Sequence, residues 1–214
     1  MARRDYGQYC GLARALEIVG ERWALLIVRD LLVGPKRYTD LHNGLPRVPT
    51  NVLATRLKEL EQAGVVTRRV LPRPASGVVY ELTERGRDLE DAVIALGRWG
   101  ARELAEPRPG EIATPSSVIM AMRSTFRPGR AHGLTVDYQL NSGGIALQIR
   151  IDHGRLTVTE GTLPRADLVI EAGAGLRPLI SGEIEPAEAV RNGSVKMSGG
   201  DPALLDRFVE VFRI

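Results

Sequence analysis

Residues 34–83 read GPKRYTDLHNGLPRVPTNVLATRLKELEQAGVVTRRVLPRPASGVVYELT. A short polar helix, a turn bounded by prolines, an amphipathic helix and a basic hairpin follow one another without a gap. The amphipathic helix is expected from Pro49 to Ala63, capped by Thr50 and stopped by Gly64. At 100° per residue, Leu53, Leu57 and Leu60 fall on one narrow face, and Asn51, Thr55, Lys58 and Gln62 fall opposite. The leucines dock the helix and leave a polar face outward. The next runs, 65–70 and 78–82, are rich in β-branched residues and predict two strands. Pro72, Pro74 and Gly77 mark the turn between them. This order of elements predicts a winged helix-turn-helix, a shape that lays one helix in a DNA groove.

Charge supports that expectation. From Lys36 to Arg73 there are eight Lys/Arg against three Asp/Glu. Concentrated positive charge of this kind is the footprint of a phosphate-binding surface. Asn and Gln pair bidentately with adenine, and Lys reaches guanine or phosphate. Asn51, Thr55 and Lys58 are therefore the candidates for base contacts, with Thr50 beside them. Arg37, Arg47, Arg56, Arg68, Arg69 and Arg73 are the candidates for holding phosphates of double-stranded DNA. Arg56 flanks the buried face, so a salt bridge within its own domain is the competing expectation.

The surroundings suit a small DNA reader. A helix is expected over 12–19, and a nearly all-apolar one over 22–33, which Gly34-Pro35 ends. A long helix is expected from Thr83 to about Leu104, with a seam of Leu89, Val93, Leu96 and Gly100 and with Trp99 alongside. That seam packs either on its own domain or on a second copy of the chain.

Cys10, Gly20-Glu21-Arg22-Trp23, Arg29-Asp30-Leu31, Gly34-Pro35-Lys36-Arg37-Tyr38, Gly64-Val65-Val66, Tyr80-Glu81-Leu82-Thr83 and Trp99 follow one another in this region. In that order they resemble the HxlR family of winged-helix regulators, relatives of the MarR type. The resemblance covers about residues 8–105. It implies a homodimer built from the first and last helices of the domain, a recognition helix at Pro49–Ala63 and DNA contacts from the wing. The wing tip, Arg73 to Gly77, departs from the family's Pro-x-Val form. The resemblance also matches Cys10 to an oxidant- or electrophile-sensing cysteine. Read by itself, Cys10 is either a thiol activated at a helix N-terminus, with Arg14 one turn on, or a small buried hydrophobe.

The chain has 214 residues, enough for two small domains. The reading divides it into a DNA-binding and dimerisation domain at 1–105, a Pro-rich linker at 106–116 and a second domain at 117–214. Residues 1–104 carry 17 Lys/Arg and 13 Asp/Glu, whereas residues 105–214 carry 12 and 13. The basic character thus belongs to the first half. In the second half, a helix at 118–126 precedes strands at 134–140, 145–151, 156–159 and 168–171, then short helices and a last helix after Pro202. A meander followed by helices is an α+β pattern. Ala166-Asp167-Leu168-Val169-Ile170, Leu179-Ile180-Ser181-Gly182, the run from Asn192 to Gly200 and the apolar helix 204–212 resemble the sterol carrier protein type two family. The resemblance implies an antiparallel-rich sheet covered by helices around an apolar tunnel for a small hydrophobic ligand. Its candidate walls are Ile119, Met120, Met122, Phe126, Leu179, Met197, Phe208, Val211 and Phe212, which are otherwise ordinary core.

The expected fold class is therefore α+β, with a winged helix-turn-helix followed by a sterol-carrier-like domain. There is no nucleophile elbow, phosphate loop, paired-His motif or CxxC, so neither enzyme activity nor a metal or cofactor is expected. One cysteine excludes an internal disulfide. With no apolar leader and no run long enough to span a membrane, a cytoplasmic chain is expected. The function expected is a homodimeric regulator, a repressor, that binds an operator and is tuned by a small apolar effector. The rivals are a Cys10-based redox regulator with a structural second domain, and a lipid carrier.

Overall fold

Leu53, Leu57 and Leu60 are each almost completely buried, and they fix the helix they belong to against the first half of the chain. The computed structural model describes residues 5–105 and 107–214. Glu106, the first residue of the expected linker, and residues 1–4 lie outside the described residues. The chain divides into two units, Met1–Val93 and Ile94–Ile214.

The first unit runs α1 (Gly11–Val19), α2 (Ala24–Val33), α3 (Tyr38–Gly44), α4 (Thr50–Gln62), β1 (Val66–Leu71), β2 (Gly77–Leu82) and α5 (Glu84–Arg87). Ile27, Val28, Leu31, Leu41, Leu45, Val48 and the three leucines of α4 build its core. The hairpin β1–β2 pairs antiparallel from Val66↔Leu82 to Leu71↔Gly77. Lys36 exchanges two backbone hydrogen bonds with Tyr80, at 3.0 and 2.8 Å, and ties the loop before α3 to the wing.

Two helices differ from expectation. The second starts at Ala24 rather than Arg22, because Trp23 takes a left-handed backbone with φ 81° and its carbonyl accepts the first bond from Ile27. Such a conformation is costly for a bulky residue, and Trp23 packs against the core that holds it there. The long helix expected from Thr83 is broken into α5 and α6 (Glu90–Ala101). A Cβ at Gly86 would come within 2.2 Å of the Val65 carbonyl, so α5 lies directly against backbone and the chain turns after it. Leu89 and Val93 then pack on the first unit's core, while Leu96 and Trp99 are exposed. The expected seam is thus not one continuous stripe.

The second unit holds α7 (Pro115–Thr125), β3 (Thr135–Ser142), β4 (Ile145–Asp152), β5 (Arg155–Glu160), β6 (Leu168–Glu171), α8 (Leu176–Ser181), α9 (Pro186–Arg191), β7 (Lys196–Ser198) and α10 (Ala203–Val211). Residues 107–114 belong to this unit and precede α7, and the last two residues of the expected linker, Pro115 and Ser116, form its first turn. Thr114 and Ser117 cap α7 reciprocally, a capping arrangement that satisfies two otherwise orphaned amides. The sheet order is β5-β4-β3-β6-β7. All pairs are antiparallel except β3–β6, which is parallel, so residues 161–167 must cross over rather than continue a meander. Gly143 and Gly144, at φ 58° and 82°, make the two-residue turn between β3 and β4 that a side chain would strain. The protein is therefore a mixed α and β chain with a helix-turn-helix unit first and a sheet-rich unit second.

Candidate nucleic-acid interface

The polar face of α4 is set by its leucine face. With Leu53, Leu57 and Leu60 turned in, Asn51, Ala54, Lys58 and Gln62 are exposed. Thr50 is exposed at the start of the helix, where its carbonyl accepts the Tyr38 hydroxyl at 2.8 Å and fixes the turn between α3 and α4. Thr55 is half-buried, and its hydroxyl donates to the Asn51 carbonyl at 2.8 Å. That bond spends the hydroxyl proton within the helix.

The arginines divide into two groups. Arg47, in the turn before α4, and Arg73, at the wing tip, are exposed. The other four pair with groups of the same unit, although Arg37, Arg68 and Arg69 are exposed as well. Arg56 pairs with Glu59 and, at 3.3 Å, with Glu21, and its side chain is 13% exposed. It is therefore a strut between α4 and the turn before α2. The salt bridge expected within its own domain is present, with the guanidinium held on the flank of the helix. Arg37 donates to the Ser76 carbonyl at 3.0 Å. A Cβ at Gly77 would stand 2.6 Å from that guanidinium, so glycine there lets Arg37 reach across and hold the wing tip. Arg68 donates to Glu61 at 2.9 Å, and Arg69 pairs with Glu81 at 3.0 Å. Between α4 and the wing lies a groove of about 350 Å³ lined by Ala54, Leu57, Lys58, Glu61, Gln62, Arg68 and Tyr80.

The roles of Glu61 and Glu81 were not legible in the sequence. Glu61 and Arg68 sit on a helix and a strand, so no i,i+4 spacing advertises the pair. Asp30 is a second such case. It is fully buried in α2, Arg29 donates to its Oδ1 at 2.9 and 2.7 Å, and Oδ2 has no hydrogen-bond partner among the described residues. Burial pushes its carboxyl above the ordinary range, against the opposing pull of Arg29 and Lys36.

Cys10 is exposed at the N-terminal edge of α1. The backbone amides of Ala13 and Leu12 hold its thiol below its ordinary pKa. Arg14, expected to assist, instead pairs with Glu17 at 2.9 Å. On the same helix Leu12 and Leu16 are exposed.

In the second unit the nine candidate ligand-wall residues are core. Ile119, Met120, Met122, Phe126, Leu179, Phe208, Val211 and Phe212 are buried, and Met197 is half-buried on β7. The rings of Phe126, Phe208 and Phe212 stack at 4.7 and 5.6 Å, and Tyr138 meets Phe208 at 5.3 Å. A shallow groove lies at the end of the sheet, lined by residues 141–146 and 171–175 with Gly193, Ser194 and Lys196. None of the nine lines it.

Residues 18–107 match the model of the HxlR-like helix-turn-helix. YodB of Bacillus subtilis, an HTH-type transcriptional regulator, is 40% identical over 93 residues, which cover 44% of this chain and 82% of YodB. The chain belongs to the HxlR family. Another HTH-type regulator of Bacillus subtilis, YvaP, is 38% identical over 94 residues, covering 44% of this chain and 86% of YvaP. Among solved structures, the redox regulator HypR in its oxidised form matches at 30% identity with a TM-score of 0.42, over 46% of this chain and all of HypR. The quinone-bound form of YodB from Bacillus subtilis matches at 34% identity with a TM-score of 0.37, over 42% of this chain and 96% of YodB. As an HxlR member the chain is a DNA-binding transcriptional regulator with a winged helix-turn-helix. Among the described residues, no helix is long and apolar enough to cross a membrane.

Proposed function

We propose that the chain is a homodimeric repressor that reads its operator with α4 and is tuned through the second unit. The carrying observation is the exposed Asn51–Lys58 face of α4 beside a basic wing. Asn51 and Lys58 read base edges, while Arg47, Arg73 and Thr50 hold the backbone. Two such heads, one per protomer, would enter successive major grooves about 34 Å apart. Fluorescence anisotropy on a selected operator and on random duplex tests this. Lys58→Ala weakens operator binding about tenfold, by the order of 1–3 kcal/mol that a base contact carries, and random binding far less. Arg73→Ala weakens both alike. Equal losses in both variants on both DNAs defeat the assignment of Lys58 to the bases.

The sterol-carrier resemblance, the five-stranded sheet and the helices around it support an apolar effector for the second unit. Eight of the nine candidate walls are buried, so such a ligand would have to part them. A second reading places the switch at Cys10, because its thiol is exposed and lowered in pKa, and the relative YodB is known in a quinone-bound form. Under that reading Cys10→Ser keeps operator affinity and loses the response to a quinone or diamide. A wild-type chain with no such response excludes it.

A further inference from the structure

Glu61 stands on the recognition helix one turn beyond Lys58, on the side that faces the wing. It takes the guanidinium of Arg68 from β1 at 2.9 Å. Both side chains are reachable by solvent: Arg68 is 58% and Glu61 33% exposed. They line the groove between α4 and the hairpin together with Lys58, Gln62 and Tyr80. Two cations and an amide thus converge on a concave strip, and the single carboxylate there neutralises one of them. A carboxylate and a DNA phosphate offer a guanidinium the same paired oxygen acceptors. Whatever binds this strip as an anion has to compete with Glu61.

We propose that Glu61 is an internal stand-in for a DNA backbone phosphate, holding Arg68 in the free protein and setting how tightly the regulator grips DNA of any sequence. The inference rests on the DNA-binding reading above. It assigns Glu61 the role of an affinity-setting residue rather than a base contact. In the complex a phosphate lying between recognition helix and wing takes Arg68, and Glu61 turns to solvent. An exposed ion pair of this kind is weak, worth up to a few-fold in an equilibrium constant. It therefore lowers affinity without blocking it, which keeps non-specific retention on bulk DNA in check.

The test is anisotropy with the full chain, on operator and on random duplex, across a salt series, for wild type, Glu61→Gln, Arg68→Ala and the double variant. Glu84→Gln, an exposed carboxylate on α5, serves as the charge control. Glu61→Gln is expected to tighten both DNAs about two- to fivefold. It should also steepen the salt dependence by up to roughly one phosphate contact, a slope change near 0.9. In the Arg68→Ala background the same substitution should change little, and Glu84→Gln should change little in either. Three results overturn the proposal. One is an unchanged affinity and slope in Glu61→Gln. Another is a selective loss on the operator, which makes Glu61 a base contact. The third is an equal gain with and without Arg68, which makes the effect general charge removal. A wild-type chain with no salt-dependent DNA affinity removes the DNA-binding reading itself, and is told apart from these by the unmutated control.

Discussion

Lys58 and Arg56 stand two positions apart on α4 and do opposite work. Lys58 points outward, whereas Arg56 is clamped between Glu21 and Glu59 on the helix flank. Composition treats the two alike, and only the direction of each side chain from the helix axis separates them. Asp30 shows the same limit from the inside. Its buried carboxyl titrates above the ordinary carboxylate range. The folded chain therefore binds this proton more tightly than the unfolded chain does. The contribution of Asp30 to stability is most favourable below the ordinary carboxylate pKa, and it declines as pH rises through the folded value. Urea midpoints taken at rising pH from about 4, the ordinary carboxylate value, should show this decline. Asp30→Asn, which cannot ionise, should remove the component due to this residue. An identical pH profile in the variant would show that Asp30 does not titrate in that window.

At the level of elements, α4 and the wing were legible because each has a strict repeat. The leucine spacing fixes one helix, and runs of β-branched residues around a Pro/Gly tip fix one hairpin. The helix from Thr83 was not legible as two pieces. Its interruption comes from Gly86 lying against the Val65 carbonyl, a contact 21 residues away in sequence. The consequence bears on dimerisation. Leu89 and Val93 are taken by the unit's own core, which leaves Leu96 and Trp99 on α6, with Leu12 and Leu16 on α1, as exposed apolar groups. If these helices carry the homodimer, Trp99→Glu should shift the chain to monomer in sedimentation velocity and lower operator affinity in proportion. A variant that stays dimeric would move the interface elsewhere.

At the scale of the whole molecule, the charge imbalance between the halves matches the division of labour between a DNA-reading unit and a near-neutral partner. The second unit raises the question of an effector, and mass decides it directly. Native mass spectrometry of freshly purified protein should show a dimer carrying a small apolar adduct that denaturation releases. A bare dimer would leave the second unit structural and move the switch to Cys10. By itself the sequence determined the order of elements from α1 through the hairpin, the buried face of α4, the basic wing and the membership of the first half in a family of regulators. These follow from local periodicity and turn chemistry, which act over a few residues. Tertiary structure alone decided that four of the six candidate phosphate-binding arginines pair with groups of their own unit, that β6 pairs parallel to β3, and that eight of the nine candidate ligand-wall residues are buried. Each of those depends on which distant side chains and backbones arrive at the same point, and no spacing along the chain encodes that arrival.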